Sequence, residues 1–271
     1  MLQKWRRVAN RDLIIGISVL ALLVVTSHFK REVKPKIKAF EPQNWVKKIT
    51  SQKVAIPQYT DFEPPRNGVM ITNIRHERVP INEASFRQNR LILRRLWNQT
   101  VGIMAQGSNA RFYYANGFFQ DFVPFKVANV YNAMNFIAQR LRYQFDEKLF
   151  AGRKEIWQTS KEAYVRMRGD CEDHAILLAD WLMSLGYDAR VVVGTYKGGG
   201  HAWVVWFNKG EAYIIEATNK RKRRFYPLAG SMYEYQASYM FNKNSFWERS
   251  KKNITDDYQT GWDKRADFQP L

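Results

Sequence analysis

The chain contains one cysteine, Cys171, in the stretch RGDCEDHAILLADWLMSLGYDARVVVG, residues 168–194. The apolar residues after it repeat at helical spacing, and Gly169 and Asp170 before it are typical of a turn followed by a helix N-cap. We therefore expect Cys171 in the first turn of a helix. Unpaired backbone N–H groups and the positive end of the helix dipole favour the nucleophilic thiolate there. The alternative is a buried structural cysteine, which is the common role of a lone cysteine.

A nucleophilic thiol needs a base, and the base needs a group that orients it. Of the four histidines, His28 lies in an apolar segment and His76 in a charged segment without a pattern, so His174 and His201 remain. His201 follows three glycines at the start of a β-rich run, where another segment can approach the ring closely. Antiparallel pairing with the next run brings Glu216 near it. A carboxylate in an apolar strand needs a partner, and an imidazolium is a suitable one.

The same residue types also allow a metal site. Cys171 and His174 lie three residues apart on one predicted helix, and His201 could supply a third zinc ligand. Zinc sites with a single cysteine are uncommon, so we expect no metal, with His174 as a packed helix residue. Asp173 suits the start of a helix, and its alternative role is that of a structural carboxylate.

The neighbouring elements fit an α+β fold. Three β-rich runs, ARVVVGTY, HAWVVWF and EAYIIEAT, are joined by KGGG and NKG and predict an antiparallel meander. Gly186 marks the end of the Cys171 helix, and Thr159 with Glu162 at capping-box spacing marks the start of a short helix before it. Residues 85–107 and 127–145 repeat apolar residues at helical spacing and are predicted to be helices. Helices before a sheet indicate α+β.

The segments GDCEDHA, LGYDARVVVG, GHAWVVW and IIEAT resemble the transglutaminase-like superfamily, specifically its bacterial cysteine-protease-like branch. The resemblance covers roughly residues 125–220. It implies a papain-like core in which a helix with the nucleophilic cysteine packs on a sheet with a histidine and an acid. Residue by residue it implies Cys171 as nucleophile, His201 as base and Glu216 as acid, without a cofactor. The family usually has Asp at the third position, so Glu216, longer by a methylene, is a departure.

The segment WQTSKEAYVRMRGDCEDHA resembles the family region that helps to complete the oxyanion site. The resemblance implies Trp157 or Gln158 as a hydrogen-bond donor there, together with the backbone N–H of Cys171. For Trp157, packing in the core is the alternative.

These residues predict a thiol acyl-transfer enzyme. The Cys171 thiolate attacks an amide carbonyl to form a thioester, which water or an amine then resolves. We expect a cysteine peptidase with a protein or peptide substrate. A transamidase uses the same residues, and a non-catalytic binding or scaffold module is the further alternative that Glu216 leaves open.

Residues 13–29, LIIGISVLALLVVTSHF, contain no Lys, Arg, Asp or Glu and follow a basic head. At about 1.5 Å per residue they span about 25 Å, which suits a membrane anchor with flanking basic side chains. A cleaved signal peptide is the alternative. Basic residues flank the segment on both sides, but a short basic head usually stays cytoplasmic. We therefore expect a single-pass membrane protein with its catalytic domain on the outer, periplasmic or extracellular, side.

The net charge is +18, and residues 1–60 supply half of it, with 12 Lys and Arg against three acidic residues. Because the basicity is local and no groove-reading or stacking motif accompanies it, we expect no nucleic-acid partner. A second basic run is predicted to contact an acidic substrate or an anionic membrane surface, with a solvated turn as the alternative. Its residues are Lys220, Arg221, Lys222, Arg223 and Arg224.

The predicted organisation has five parts. They are a basic head (1–12), the anchor (13–29), a tether and N-terminal extension (30–84), the transglutaminase-like domain (85–230) and a C-terminal extension (231–271). For the last part we expect a helix and a wrapping tail.

Overall fold

The computed structural model describes residues 62–73, 76–81, 92–221, 226–250 and 258–271. These residues belong to one unit, Ile56–Leu271. The predicted anchor, its basic head, and Lys222, Arg223 and Arg224 lie outside the described residues. Within the described ranges, no helix combines the length and apolar character needed to cross a membrane.

The strands found in these ranges are β1 Gly68–Thr72, β2 Arg78–Pro80, β3 Ile92–Leu96, β4 Gln99–Gly107, β5 Phe112–Tyr114, β6 Arg142–Tyr143, β7 Ile156–Trp157, β8 Arg168–Gly169, β9 Asp188–Tyr196, β10 Gly199–Asn208, β11 Glu211–Ile215, β12 Tyr235–Phe241, β13 Ser245–Arg249 and β14 Trp262–Pro270. The α-helices are α1 Val130–Arg140, α2 Asp146–Leu149, α3 Ser160–Arg166 and α4 Cys171–Ser184. Short 3-10 turns cover Ala115–Phe118 and Ala229–Ser231.

The main sheet has eight strands in the order β11-β10-β9-β12-β13-β14-β1-β2, and each neighbouring pair is antiparallel. The predicted meander of β9, β10 and β11 is therefore present. Helix α4 packs across β9 and β10. The prediction of an α+β fold is confirmed.

The meander strands carry two apolar faces because successive side chains of a strand point to opposite sides of the sheet. Val191, Val204 and Ile215 belong to the core that contains α4. Val192 and Val205 belong to a second buried cluster, together with aromatic residues of β12 and the C-terminal region. Both faces of these strands are covered, so α4 rests on a sheet that is itself supported from behind.

The helices at the site form as the sequence predicts. Thr159 and Glu162 make a complete capping box at the start of α3, and Gly186 follows α4 with φ 87°. Helix α1 occupies the central part of the predicted helix 127–145, and the Asn129 side chain caps its first turn.

The helix predicted for residues 85–107 is wrong where the structure describes it. Residues 92–107 form the β3–β4 hairpin, with Trp97 at φ 55° in its turn. Strand β4 is buried along almost its whole length. A strand buried on both faces loses the alternation of period two, so its apolar residues can fit helical spacing by coincidence.

The C-terminal region contains strands where we expected a helix and a tail. β12 alternates buried Tyr235 and Ala237 with exposed neighbours, which is the pattern of a strand. β12, β13 and β14 continue the sheet beyond residue 230, and β1 and β2 continue it before residue 85. The sheet therefore extends past both limits of the predicted domain.

Candidate active site

Cys171 is the first residue of α4 and is partly buried. Asp170 occupies the N-cap position, but its side chain makes no capping hydrogen bond, so its predicted role as a cap is wrong. Gly169 is required by packing, because a Cβ atom there would lie 2.2 Å from Oδ2 of Asp173. Cys171 thus begins the helix close to the Asp173 carboxylate, which leaves room only for glycine at position 169.

His201 and Glu216 lie next to each other in the sheet. His201 stands near the start of β10, and the pairing of Val204 with Ile215 brings Glu216, one residue after β11, beside it. Nε2 of His201 lies 2.7 Å from Oε2 of Glu216, and the two side chains are only 13% and 9% exposed. A buried carboxylate and a buried imidazole therefore form a hydrogen-bonded pair.

Glu216 is held by further donors that were not apparent from the sequence. The backbone N–H and hydroxyl of Thr218 donate to Oε1 at 2.9 and 2.7 Å, and the Tyr235 hydroxyl donates to Oε2 at 3.3 Å. Burial alone raises the pKa of Glu216, but the hydrogen bonds from His201 and Thr218 lower it below its ordinary value. The additional methylene of Glu is thereby accommodated in a fixed, ionised carboxylate.

The pKa of His201 is also affected by the neighbouring Cys171. Burial lowers the pKa of His201, but the hydrogen bonds with Cys171 and Glu216 outweigh it and raise the pKa to about 10. Because Nε2 is engaged with Glu216, Nδ1 is the ring nitrogen left for Cys171. The three side chains expected at the site are therefore neighbours in the structure, with His201 between Cys171 and Glu216 in this set of interactions.

Tyr143 is a neighbour of the thiol that the sequence did not reveal. Burial, followed by the nearby Cys171 and acidic groups, raises the pKa of Tyr143. The ring is 37% exposed and packs against Phe145 and His174 at centroid distances of 5.4 and 5.8 Å. Tyr143 is thus a half-exposed neighbour of the site that comes from β6.

The two predicted oxyanion donors have other partners. Trp157 is 2% exposed and packs against Phe118 and Phe241, which is the packing role. The amide of Gln158 donates both hydrogens, to Oδ2 of Asp173 at 2.6 Å and to the Arg168 carbonyl at 2.8 Å. An oxyanion role for Gln158 does not fit this arrangement, and its amide instead positions Asp173.

His174 does not fit the zinc alternative. Its Nδ1 lies 2.6 Å from the carbonyl oxygen of Asp170 and its Nε2 lies 3.3 Å from that of Leu141. Burial is the main reason that the pKa of His174 is lowered to about 4. With both nitrogens facing backbone carbonyls, the ring fixes the peptide before Cys171 and is no ligand in this arrangement.

Four carboxylates lie around the first turn of α4, apart from the His201–Glu216 pair. One oxygen from each of Asp146, Asp170, Glu172 and Asp173 lies within 4.8 Å of the others. Glu172 also accepts a hydrogen bond from the Cys171 thiol at 3.3 Å. Burial, followed by the charge of Asp170, raises the pKa of Asp146 to about 8 and that of Glu172 and Asp173 well above the ordinary value.

This acidic cluster has the donor set of a hard cation site. Asp146 is 3% exposed; its Oδ2 accepts from the Ile156 N–H at 2.7 Å, while its Oδ1 has no hydrogen-bond partner among the described residues. Oδ1 of Asp170 is buried without a partner in the same part of the chain. Clustered carboxylate oxygens are the ligands that Ca²⁺ prefers. Asp146, Asp170, Glu172 and Asp173 are therefore the residues that could hold a divalent cation, and sequence analysis did not find the site because Asp146 lies 24 residues before Asp170.

The described part of the basic run lies close to the site. The Lys220 ammonium donates to the Leu141 carbonyl at 2.6 Å, and the Gln139 amide donates to the Lys220 carbonyl at 3.0 Å. Arg221 is exposed. The run therefore begins against the end of α1, just before Tyr143.

The chain is similar to centrosomal proteins in this region. A family model described as the CEP76 peptidase-like domain matches residues 155–264, which include Cys171, His201 and Glu216. Centrosomal protein of 76 kDa from Mus musculus is 49% identical over 80 residues, 25% of this chain and 12% of that protein. The Homo sapiens protein is 35% identical over 108 residues, 35% of this chain and 16% of that protein. The chain thus covers about one eighth to one sixth of the length of these relatives.

Among solved structures, Legionella pneumophila LapG is similar in its calcium-bound and EGTA-treated forms. The TM-scores are 0.38 and 0.39, with 20% and 19% identity. The matches cover 46% and 55% of this chain and 69% and 82% of LapG.

Proposed function

We propose that this chain is a thiol acyl-transfer enzyme of the transglutaminase-like type, acting as a cysteine peptidase on a protein or peptide substrate. The observation that carries the proposal is the buried His201–Glu216 pair, with Nε2 and Oε2 2.7 Å apart, and Cys171 is the other group that raises the pKa of His201. The match of residues 155–264 to a peptidase-like domain includes all three side chains and supports it.

In this mechanism His201 takes the proton of Cys171, and the imidazolium is stabilised by the ionised Glu216. The thiolate attacks an amide carbonyl, and a thioester forms as the C–N bond breaks. His201 returns the proton to the leaving amine. Water then attacks the thioester, His201 accepts a proton from the water, and the carboxylic acid product leaves with the thiol restored.

The first turn of α4 supplies the charge stabilisation for the tetrahedral intermediate. The backbone N–H of Cys171 is one of the unpaired donors at the start of a helix, where an oxyanion is favoured. Tyr143 is the candidate for a second hydrogen-bond donor, because the nearby Cys171 is among the groups that raise its pKa. Glu216, Thr218 and Tyr235 act behind His201 as positioning residues.

The proposal is tested by labelling membranes or purified full chain with a thiol-directed, activity-based peptide probe. Cys171→Ala is expected to abolish labelling, and His201→Ala to slow it by about 10²–10⁴-fold, as for loss of a general base. His76→Ala removes an exposed histidine and serves as the matched control. Equal rates for wild type and His201→Ala would remove His201 from the mechanism and leave a non-catalytic binding module.

An amine donor separates hydrolysis from transamidation, which share every residue of the mechanism. With a glutamine-containing peptide and a fluorescent primary amine, a peptidase releases a shortened peptide. A transamidase incorporates the amine instead. We expect cleavage, and amine incorporation at the same Cys171-dependent rate would assign the transamidase.

Membrane attachment through residues 13–29 is part of the proposal. It is supported by the uncharged apolar run and its basic flanks, which lie outside the described residues. The expected result is that the chain remains in the membrane pellet after carbonate extraction and that a protease added to the outer face digests the domain. Release of the chain by carbonate would contradict the membrane anchor. Protection of the domain from the added protease would contradict the predicted orientation.

A further inference from the structure

We propose that the exposed cations around Tyr143 form a docking surface for an acidic segment of the peptide substrate. The surface, called here the cationic rim, consists of Arg140, Arg142, Arg168, Lys220 and Arg221. This inference rests on the proposed function for its meaning, because it names the substrate class of the same site.

The backbone brings these cations together beside the thiol. β6 and β8 pair in parallel, with Arg142 opposite Arg168 and Tyr143 opposite Gly169. Gly169, the partner of Tyr143, is two residues before Cys171. Arg142 and Arg168 are therefore paired side by side, with Arg168 three residues before the cysteine.

The end of α1 and the Lys220 segment extend the same surface. Arg140 ends α1, and the peptide of Leu141 that follows accepts the Lys220 ammonium at 2.6 Å. The Gln139 amide binds the Lys220 carbonyl at 3.0 Å, which fixes this segment against the helix end. The cations come from three separate parts of the chain, so folding and not a single charge run concentrates them.

The rim lacks acidic partners of its own. None of the five side chains forms an ion pair within the part of the chain that the structure describes. Like charges placed directly opposite on a ladder are destabilising. Exposed cations that repel each other at the entrance to a catalytic thiol indicate a ligand of negative charge.

An acidic peptide fits this surface better than a lipid headgroup does. Arg168, in the small ladder β6–β8, is three residues before Cys171, where a peptidase must hold an extended chain. We therefore place Glu or Asp side chains of the substrate on Arg142 and Arg168, beside the bond to be cleaved.

The test measures binding without catalysis. Full chain carrying Cys171→Ala is held in phosphatidylcholine nanodiscs, and fluorescence anisotropy follows the binding of a Glu-rich peptide and of a matched Gln peptide. The Glu peptide is expected to bind about tenfold more tightly at low ionic strength, with the preference falling as salt is added. Arg142→Glu/Arg168→Glu is expected to remove the preference. Lys209→Glu introduces an acidic side chain in the turn after β10, whose last residue is about 23 Å along the strand from His201, and this variant is expected to retain the preference.

Equal binding of the two peptides, or the same loss of preference in Lys209→Glu, would overturn the proposal. Rim-dependent binding of the nanodiscs to phosphatidylserine vesicles without a peptide preference would also overturn it and assign the rim to lipid. Thermal unfolding of each variant separates loss of binding from loss of folding. Labelling of wild-type Cys171 by a neutral probe tests the proposed function independently. Failure of the acidic-peptide proposal can therefore be distinguished from failure of the proposed enzyme activity.

Discussion

Two clusters of buried ionisable side chains lie next to Cys171, and they differ in how their charges are compensated. In the first, the His201 imidazolium faces the Glu216 carboxylate, which receives further hydrogen bonds from Thr218 and Tyr235. In the second, Asp146 and its three acidic neighbours face one another, and Oδ1 of Asp146 has no partner among the described residues. The first cluster is compensated by the protein itself, whereas the second needs protons or a cation.

The comparison shows that the His201–Glu216 pair and the acidic cluster differ in how their charges are compensated, and we infer that they affect Cys171 in different ways. In the proposed mechanism, the compensated pair provides a base that is fixed in position. The acidic cluster lies at the first turn of α4, where Asp173 accepts hydrogen bonds from the backbone and side chain of Gln158. The two clusters should therefore respond to different perturbations, and the following changes test that separation.

The largest effect is expected from the compensated side. His201→Ala should slow labelling of Cys171 by about 10²–10⁴-fold, whereas Asp146→Asn should change it far less, because Asp146 holds the turn and takes no proton from the thiol. Labelling rates at fixed protein concentration measure both. A larger loss with Asp146→Asn than with His201→Ala would reverse the assignment of tasks.

The acidic side should respond to calcium. If the cluster binds Ca²⁺ in the folded state only, a hundredfold excess over the Kd stabilises the chain by about 2.7 kcal/mol, or about 5–10 °C in Tm. Thermal unfolding in CaCl₂ and in EGTA measures this shift. Asp146→Asn should reduce the shift strongly, and Asp188→Asn, an exposed carboxylate of β9, should leave it unchanged. Identical melting in CaCl₂ and EGTA would contradict the cation site.

The compensated pair should make stability depend on pH. The pKa of folded His201 is raised to about 10, so its contribution is complete below about 6.5 and disappears as pH rises through about 10. The pKa of Glu216 is lowered, so its contribution is present above about 4.5 and is lost as pH falls through the folded value. The His201–Glu216 pair therefore contributes most to the free energy of unfolding between about pH 4.5 and 6.5.

Glu216→Gln tests this window. The variant should lose about 1.5–3 kcal/mol in free energy of unfolding at pH 5.5, and the difference from wild type should shrink toward pH 10. Urea unfolding at several pH values provides the measurement. Glu234→Gln, in an exposed ion pair with Lys197, controls for general charge effects. A difference that stays constant from pH 5.5 to 10 would mean that His201 is not the partner.

The smallest effect concerns the groups behind Glu216. Thr218→Val removes the hydroxyl donor and should lower the free energy of unfolding by about 1 kcal/mol, while Thr218→Ser, which keeps the hydroxyl, should behave nearly as wild type. Tyr235→Phe should cost a similar or smaller amount. Labelling of Cys171 by the peptide probe should fall in Thr218→Val and recover in Thr218→Ser. Equal behaviour of the valine and serine variants would show that the hydroxyl does not position the carboxylate.

The sequence predicted the parts of the site that depend on local pattern. Cys171 at a helix start, the capping box of Thr159 and the β10–β11 pairing follow from spacing over a few residues. Tyr143, Tyr235 and Asp146 do not, because long-range pairing brings them in. Tyr235 reaches Glu216 only because β12 lies beside β9.

The errors in the fold have the same origin. In residues 92–107, β4 is buried on both faces, so its sequence does not alternate and its apolar spacing resembles that of a helix. Such a strand is identified by what covers it, which a single sequence does not contain. The C-terminal strands do alternate, and their position in the sheet depends on pairing across more than 180 residues, from β14 back to β1.

Both ends of the domain supply strands to the eight-stranded sheet, and this constrains how the chain can be shortened. A fragment cut at residues 85 and 230 keeps β9, β10 and β11 and discards the five other strands of that sheet. β9 would then expose a row of unpaired backbone groups next to Val191 and Val192, which is a template for self-association. Soluble truncations therefore have to retain both flanks, Gly68–Pro80 and Tyr235–Pro270.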